Sequence, residues 1–198
     1  MTAPAIDARK PPRQARAVAM VETMLEAAAR ILEAEGLGGF NTNAVAAKAG
    51  ASIGSLYQYF PGKAALLAAL IRRKREQLLA AMSDEAADAA DLGSLVDGLI
   101  RVALRHQLER PRLTASLEYA ETTLPLDAET RALKRAIVVT VAGALARHGV
   151  EQPLVAARDL AAMTRGMADA AGLFGDGDPS TLEMRIRRAA RGYLGLAA

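Results

Sequence analysis

Residues 41–63, NTNAVAAKAGASIGSLYQYFPGK, decide the fold, because their caps, glycines and aromatics describe two short helices joined by a tight turn and the start of a third. Asn41 offers the side-chain oxygen that caps a helix, Val45 and Ala49 give that helix one apolar side, and Gly50 suits the left-handed conformation that ends it. The first of the pair is therefore about two turns long. Ser52 supplies a second N-cap, so Ile53, Gly54 and Ser55 fall in the exposed first turn of the next helix. Leu56 faces inward and Phe60, four residues on, closes onto the core. A capped first turn pointed outward is the part of a recognition helix that reaches base edges. Pro61 and Gly62 interrupt the chain, and Lys63 opens a further helix whose N-terminal amides and ammonium suit a phosphate oxygen.

Outward from this segment the chain reads as helices throughout. Val18, Val21, Leu25, Ala28 and Leu32 recur at helical spacing and predict a first helix over 16–35 that stops at Gly36. A fourth helix is expected over 63–82, with the acidic stretch Asp84, Glu85, Asp88, Asp91 marking a loop and the next helix start. A fifth over 92–109 ends before Pro111, a short sixth spans 111–122, and Pro125 with a capping Asp127 starts a seventh reaching His148. Leu133, Ile137, Val138, Val141 and Leu145 make that seventh helix apolar over much of its girth, which predicts a central position. Gly149 and Pro153 introduce an eighth helix to Phe174, and Ser180 with Glu183 has the capping-box spacing for a ninth. The Asp176-Gly177-Asp178 piece faintly resembles a calcium loop but lacks the remaining oxygen ligands, so it reads as a turn.

Composition agrees with helices. Hydrophobic residues make up 52% of the 198 and aromatics only 4%, a balance dominated by Ala and Leu that favours close-packed helices over strands. Cysteine is absent, which excludes disulfides, thiolate metal sites and a cysteine nucleophile and fits a reducing, cytoplasmic setting. No signal peptide or membrane span is legible, since the longest apolar run, 136–146, is too short to cross a bilayer. The net charge of +3 is concentrated early: Arg9, Lys10, Arg13 and Arg16 stand against Asp7. Between Ala17 and Lys63 the bases Arg30, Lys48 and Lys63 are outnumbered by Glu22, Glu26, Glu33 and Glu35. A basic arm over 1–15 can lie along phosphates or in a minor groove, and reads equally as a solubilising tail. Arg72, Arg73, Lys74 and Arg75 form a second basic run, half or more of which is expected to be solvated surface.

The Ala-Gly pair at 49–50, Ser52, the Leu56-Tyr57 pair, Phe60 and Lys63 stand in step with the helix-turn-helix of the TetR family of bacterial transcriptional regulators, which this segment closely resembles. The resemblance covers 18–70 directly. It implies an all-α fold of about nine helices, with a three-helix DNA-binding domain over 16–62 and a C-terminal bundle over 63–198 for ligand binding and dimerisation. By the same resemblance Thr42 and Asn43 touch backbone and base, with Ser52 capping the helix between; Ile53, Gly54 and Ser55 enter the major groove, and Tyr57, Gln58, Tyr59 and Lys63 hold phosphates. Asn41 replaces the family's usual threonine and preserves the cap. Ile53-Gly54 offers no hydrogen-bonding side chain, so readout would rest on thymine methyls, Ser55, Asn43 and DNA shape. The implied partners are a double-stranded operator, a small apolar or amphipathic effector and a second copy of the chain, with no membrane.

The remaining residues carry little chemistry. An enzyme reading finds two histidines, no cysteine and no glycine-rich phosphate loop after a strand, so neither a catalytic set, a metal site nor a cofactor is expected. His148 complements a helix C-terminus. His106, seven residues from Leu99, is either a ligand contact or an ordinary core or surface histidine; Met163 and Met167 either line an adaptable apolar pocket with Ile137 or are plain core methionines. Tyr119 and Glu118 are further polar candidates. Ala171, Phe174, Leu182, Ile186 and Tyr193 on the last two helices are the expected dimer surface. The alternative function is a helical small-molecule-binding protein or enzyme with a vestigial head.

Overall fold

The computed structural model describes residues 15–175 and 178–196, and the arm over 1–14 and the turn residues 176–177 lie outside them. The described residues form nine helices and no strand: α1 (Ala15–Gly39), α2 (Thr42–Lys48), α3 (Ile53–Tyr59), α4 (Lys63–Asp88), α5 (Leu92–Leu108), α6 (Pro111–Thr123), α7 (Ala128–Arg147), α8 (Pro153–Phe174) and α9 (Pro179–Tyr193). Gly36 breaks α1 as the sequence leads one to expect, with a left-handed φ of 63° that only glycine takes without strain.

Two ends differ from the sequence reading. The acidic stretch does not open a loop: Asp84, Glu85 and Asp88 continue α4, and only Asp91 leaves it, capping α5 in a reciprocal box with Ser94. At α9 the cap is Asp178, not Ser180; its carboxylate accepts from the backbone N–H groups of Ser180 and Thr181, because Pro179 occupies the first helical position and puts the cap two residues earlier. These bonds and the hydroxyls of Thr181 and Ser180 hold the Asp178 carboxyl at about 2.

The chain folds into two compact units that are not the linear segments 16–62 and 63–198. The first joins the residues up to Lys74 to Arg110–Arg131, and the second joins Arg75–Glu109 to the residues from Ala132 onward. In the first, α6 packs on α1, and Leu113, Leu117 and Ala120 are buried in one core with Leu25, Leu32, Phe40, Leu56 and Leu66. Apolar spacing marks α6 as amphipathic without naming the helix that covers it, which is why the sequence placed it with the C-terminal bundle. In the second unit α5, α8 and α9 pack mutually around Leu95, Ile100, Leu160 and Ile186. α7 is less central than its composition suggests: Leu145 is buried, Ile137, Val138 and Val141 are half-buried, and Val139 is exposed.

The basic run 72–75 is also a correction. Arg72 pairs with Asp127 at 2.8 Å, Arg73 with Glu22 at 3.3 Å, Lys74 Nζ bonds Thr114, and Arg75 is buried, so the run is tied inward rather than solvated.

Candidate nucleic-acid interface

The helix-turn-helix forms from local chemistry. Asn41 Oδ1 accepts from Ala44 N–H at 2.9 Å, starting α2, and Asn41 Nδ2 donates back to Gly39 O at 3.1 Å. The turn closes through Gly50 N–H to Ala47 O at 3.1 Å and Ala51 N–H to Ala46 O at 3.0 Å, with Gly50 at a φ of 65°. Ser52 Oγ then accepts from Ser55 N–H at 3.0 Å and starts α3. Leu56, with no exposed surface, and Phe60 anchor α3 on the first unit's core. That anchoring turns the other face outward: Ile53, Gly54, Tyr57 and Gln58 are exposed, with Asn43 exposed on α2.

Several candidate side chains are engaged with each other. Thr42 Oγ1 and Tyr57 OH lie 3.2 Å apart, bridging α2 and α3, and the hydroxyls of Ser52 and Ser55 lie 2.9 Å apart. Tyr59 is half-buried against the core, so its ring supports α3 as well as facing solvent. Lys63 Nζ donates to Leu37 O at 2.7 Å and stands 5.6 Å from the centroid of Phe40. One of the three ammonium protons is thus spent on closing α1 to the start of α4, leaving two for an outside acceptor. At Gly54 an added Cβ would meet only Ser52 Oγ at 3.8 Å; the glycine leaves a shallow recess in the recognition helix that internal packing does not require.

Charge in this unit is largely consumed internally. Glu26 receives Arg30 at 3.0 Å, Arg110 at 3.3 Å and Arg73 at 3.7 Å, and Glu33 receives Arg110 at 2.7 Å. Burial raises the Glu26 carboxyl, but those three guanidinium groups outweigh it and hold it below the usual carboxylate range.

Elsewhere the candidates divide. Leu99 is buried in the core of the second unit, Ile137, Met163 and Met167 are half-buried against that core, and His106 is half-buried on α5. Tyr119 belongs to the first unit and is 64% exposed, so it is no part of that core. On α8 and α9 the expected dimer residues Ala171, Leu182 and Ile186 face inward, Ile186 with no exposed surface, because they pack α8 and α9 within one protomer. Phe174 is 75% exposed, and Tyr193 is exposed with its hydroxyl donating to Asp159 at 2.6 Å. The sequence reading missed Leu173 and Met184, 79% and 63% exposed. The signal was available: Met184 lies two residues from both Leu182 and Ile186, which on a helix is the opposite side. Among the described residues no group of three or more metal-binding side chains is assembled, and no helix is long and apolar enough to cross a membrane.

A capped, outward-facing second helix in a helix-turn-helix is the arrangement with which that class of motif meets DNA. Residues 24–70 match the family described as bacterial regulatory proteins, tetR family. The HTH-type transcriptional repressor DrrR1 of Streptomyces coeruleorubidus is 36% identical over 85 residues, which make up 43% of this chain and 30% of that protein, so the match spans under a third of the curated relative. Among solved structures, a TetR-family transcriptional regulator from Streptomyces coelicolor superposes with a TM-score of 0.71 at 19% identity, over 90% of this chain and 97% of that one. SmeT, the repressor of the Stenotrophomonas maltophilia multidrug efflux pump SmeDEF, gives a TM-score of 0.66 at 22% identity, over 87% and 89%. The similarity to the tetR family lies in residues 24–70, the segment that carries α2 and α3, and the rest of the chain shares the helical fold of those solved structures.

Proposed function

We propose that this protein is a homodimeric transcriptional repressor in the cytoplasm that binds an inverted-repeat operator and leaves it when a small apolar or amphipathic molecule binds the second unit. The observation that carries the reading is the start of α3, where Ile53 and Gly54 are exposed and offer a methyl and a gap to a major groove beside the half-buried Ser55, while the Leu56–Phe60 pair fixes their angle. Thr42, Tyr57, Gln58, Tyr59 and Lys63 flank that surface at positions suited to phosphates, Asn43 to backbone and base. The relatives named as repressors favour repression over activation.

One seven-residue recognition helix supplies little discrimination alone, whereas two heads on a two-fold axis read two half-sites. The exposed apolar residues Leu173, Phe174, Met184 and Tyr193 on α8 and α9 support an intersubunit four-helix contact. The half-buried Met163 and Met167 beside the second unit's apolar core support an apolar effector site, since methionines adapt to varied ligands. Full release requires the effector to prefer the non-binding state by about 5 kcal/mol.

The test is fluorescence anisotropy of the full chain on the DNA upstream of its own coding sequence, against shuffled DNA, across a salt series. Tight binding to the native fragment that persists with salt is expected; equal, salt-labile binding to both would replace this reading with that of an unspecific DNA binder. Because coupling is reciprocal, operator-bound protein must bind the effector more weakly by the same factor. The same salt series on a chain lacking residues 1–14 measures the share of Arg9, Lys10 and Arg13 in phosphate binding.

A further inference from the structure

Four of the hydroxyls on or beside the recognition surface are joined in two pairs, Thr42 with Tyr57 and Ser52 with Ser55. The pairing limits what they can offer DNA. A hydroxyl has one proton and two lone pairs, and a phosphate oxygen can only accept, so two hydroxyls bonded to each other have one proton left to give outward. Ser52 is committed to capping α3. The Thr42–Tyr57 pair is different, because it links α2 to α3 across a surface where both residues are solvent-accessible and neither oxygen caps a helix.

Either hydroxyl can be the donor across the 3.2 Å contact, and acidity favours one direction. A phenol is a stronger donor and a weaker acceptor than an alkyl hydroxyl, and a bond given by Tyr57 O–H to Thr42 Oγ1 leaves the Thr42 proton for an outside acceptor. Accepting one bond strengthens the bond an oxygen's own proton can make, and here it also removes a rotor position facing Tyr57.

We propose that Tyr57 is a positioning residue for DNA contact: its hydroxyl orients and polarises Thr42, and Thr42 alone of the two hands a proton to a phosphate. This rests on the reading of the head as a DNA-binding surface, and it changes the count of contacts from two independent hydroxyls to one coupled donor. The Tyr57 ring is exposed and outside the buried core, so deleting its hydroxyl leaves that core untouched.

The experiment is a substitution cycle read by anisotropy on the upstream fragment, with a thermal midpoint for every variant. Thr42→Val should weaken binding about tenfold and Tyr57→Phe about threefold. The double variant should match Thr42→Val alone, because with the threonine hydroxyl gone there is nothing for Tyr57 to orient. Thr42→Ser should restore binding to within about twofold and restore the effect of Tyr57→Phe. A double variant weakened by the product of the two single losses would overturn the proposal in favour of independent contacts. So would Tyr57→Phe without effect, or a thermal midpoint falling in step with affinity, which would make the bond a purely structural one. If the wild-type chain shows no preference for the upstream fragment, the DNA reading itself fails and this proposal with it; additive losses in a chain that does prefer it overturn the coupling alone.

Discussion

Arg110 holds Glu33 in a forked ion pair inside the first unit: its Nη2 lies 2.7 Å from Oε2, and its Nε lies 3.2 and 3.1 Å from the two carboxylate oxygens. Nη1 of the same guanidinium reaches Glu26 at 3.3 Å. Arg110 precedes the first residue of α6 and both acids are on α1, so one side chain fastens the start of α6 to α1 at two places. Hydrogen bonding to the guanidinium holds the Glu33 carboxyl below the usual range and raises Arg110 above its own.

Glu33→Gln should therefore destabilise the protein by about 1 kcal/mol, the upper end for a partly exposed pair with good geometry. Urea midpoints of Glu33→Gln, Arg110→Met and the double variant give the coupling. A coupling of zero would show that the fork is held by the packing of α6 and contributes nothing itself.

Asp127 adds an acid-dependent element to the same unit. Burial raises its carboxyl, but bonds from Thr130 N–H at 2.7 Å and Thr130 Oγ1 at 2.8 Å, with Arg72 at 2.8 Å, bring it down to about 2 from an ordinary 3.8. A depressed carboxylate stabilises the fold above the unfolded value and loses that contribution as pH falls through the folded one. Asp127→Asn should cost about 1–2 kcal/mol at neutral pH, with the gap to wild type closing between about pH 4 and pH 2. A gap that does not narrow with acid would assign the effect to cap geometry rather than charge.

Two neighbouring residues of α3 should separate stability from recognition. Leu56 is fully buried, and Leu56→Ala should cost about 2–5 kcal/mol. Ile53 is exposed, and Ile53→Ala should change stability by no more than about 0.5 kcal/mol while altering preference among DNA sites. Calorimetry together with binding to a panel of single-base operator variants checks both; a site preference unmoved by Ile53→Ala would take the residue out of the groove.

Lys63 carries a divided prediction. Lys63→Gln should lower the salt slope of DNA binding by about one ion if a remaining ammonium proton meets a phosphate. An unchanged slope with a lower thermal midpoint would confine the lysine to Leu37 O and the Phe40 ring.

The outer and inner faces of α9 should behave oppositely. Met184→Asp places a charge on an exposed apolar surface and should yield a folded monomer in sedimentation equilibrium, with operator affinity lost in proportion. Ile186→Ala removes a buried side chain and should cost about 2–5 kcal/mol in the protomer itself. A dimer unaffected by Met184→Asp would move the contact elsewhere.

The sequence was most legible where structure is local. Asn41, Gly50, Ser52, Leu56 and Phe60 each do what their residue type and spacing predict, because a cap, a left-handed turn and an i, i+4 anchor are settled within a few residues. What was not legible depended on partners far along the chain. The apolar stripe of Leu182 and Ile186 said that a face is covered but not whether α8 of the same protomer or another copy covers it. Leu113 and Leu117 said the same of α6, whose cover is α1. Arg72 and Arg73 read as solvated because their acids, Asp127 and Glu22, lie more than fifty positions away. The Thr42–Tyr57 bond had no sequence signal, since a fifteen-residue separation becomes a contact only through the angle between two helices.

That α6 completes the core around α1 has a consequence for anyone recombining this protein. A graft cut cleanly after α4 begins would carry Leu25, Ala28, Ala29 and Leu32 onto a new body without the side of the core supplied by Leu113, Leu117 and Ala120. The transplantable unit is discontinuous: a chimera that exchanges DNA specificity must bring the stretch 110–131 along with its N-terminal half, Arg110 included, or refit its own sixth helix to a foreign surface.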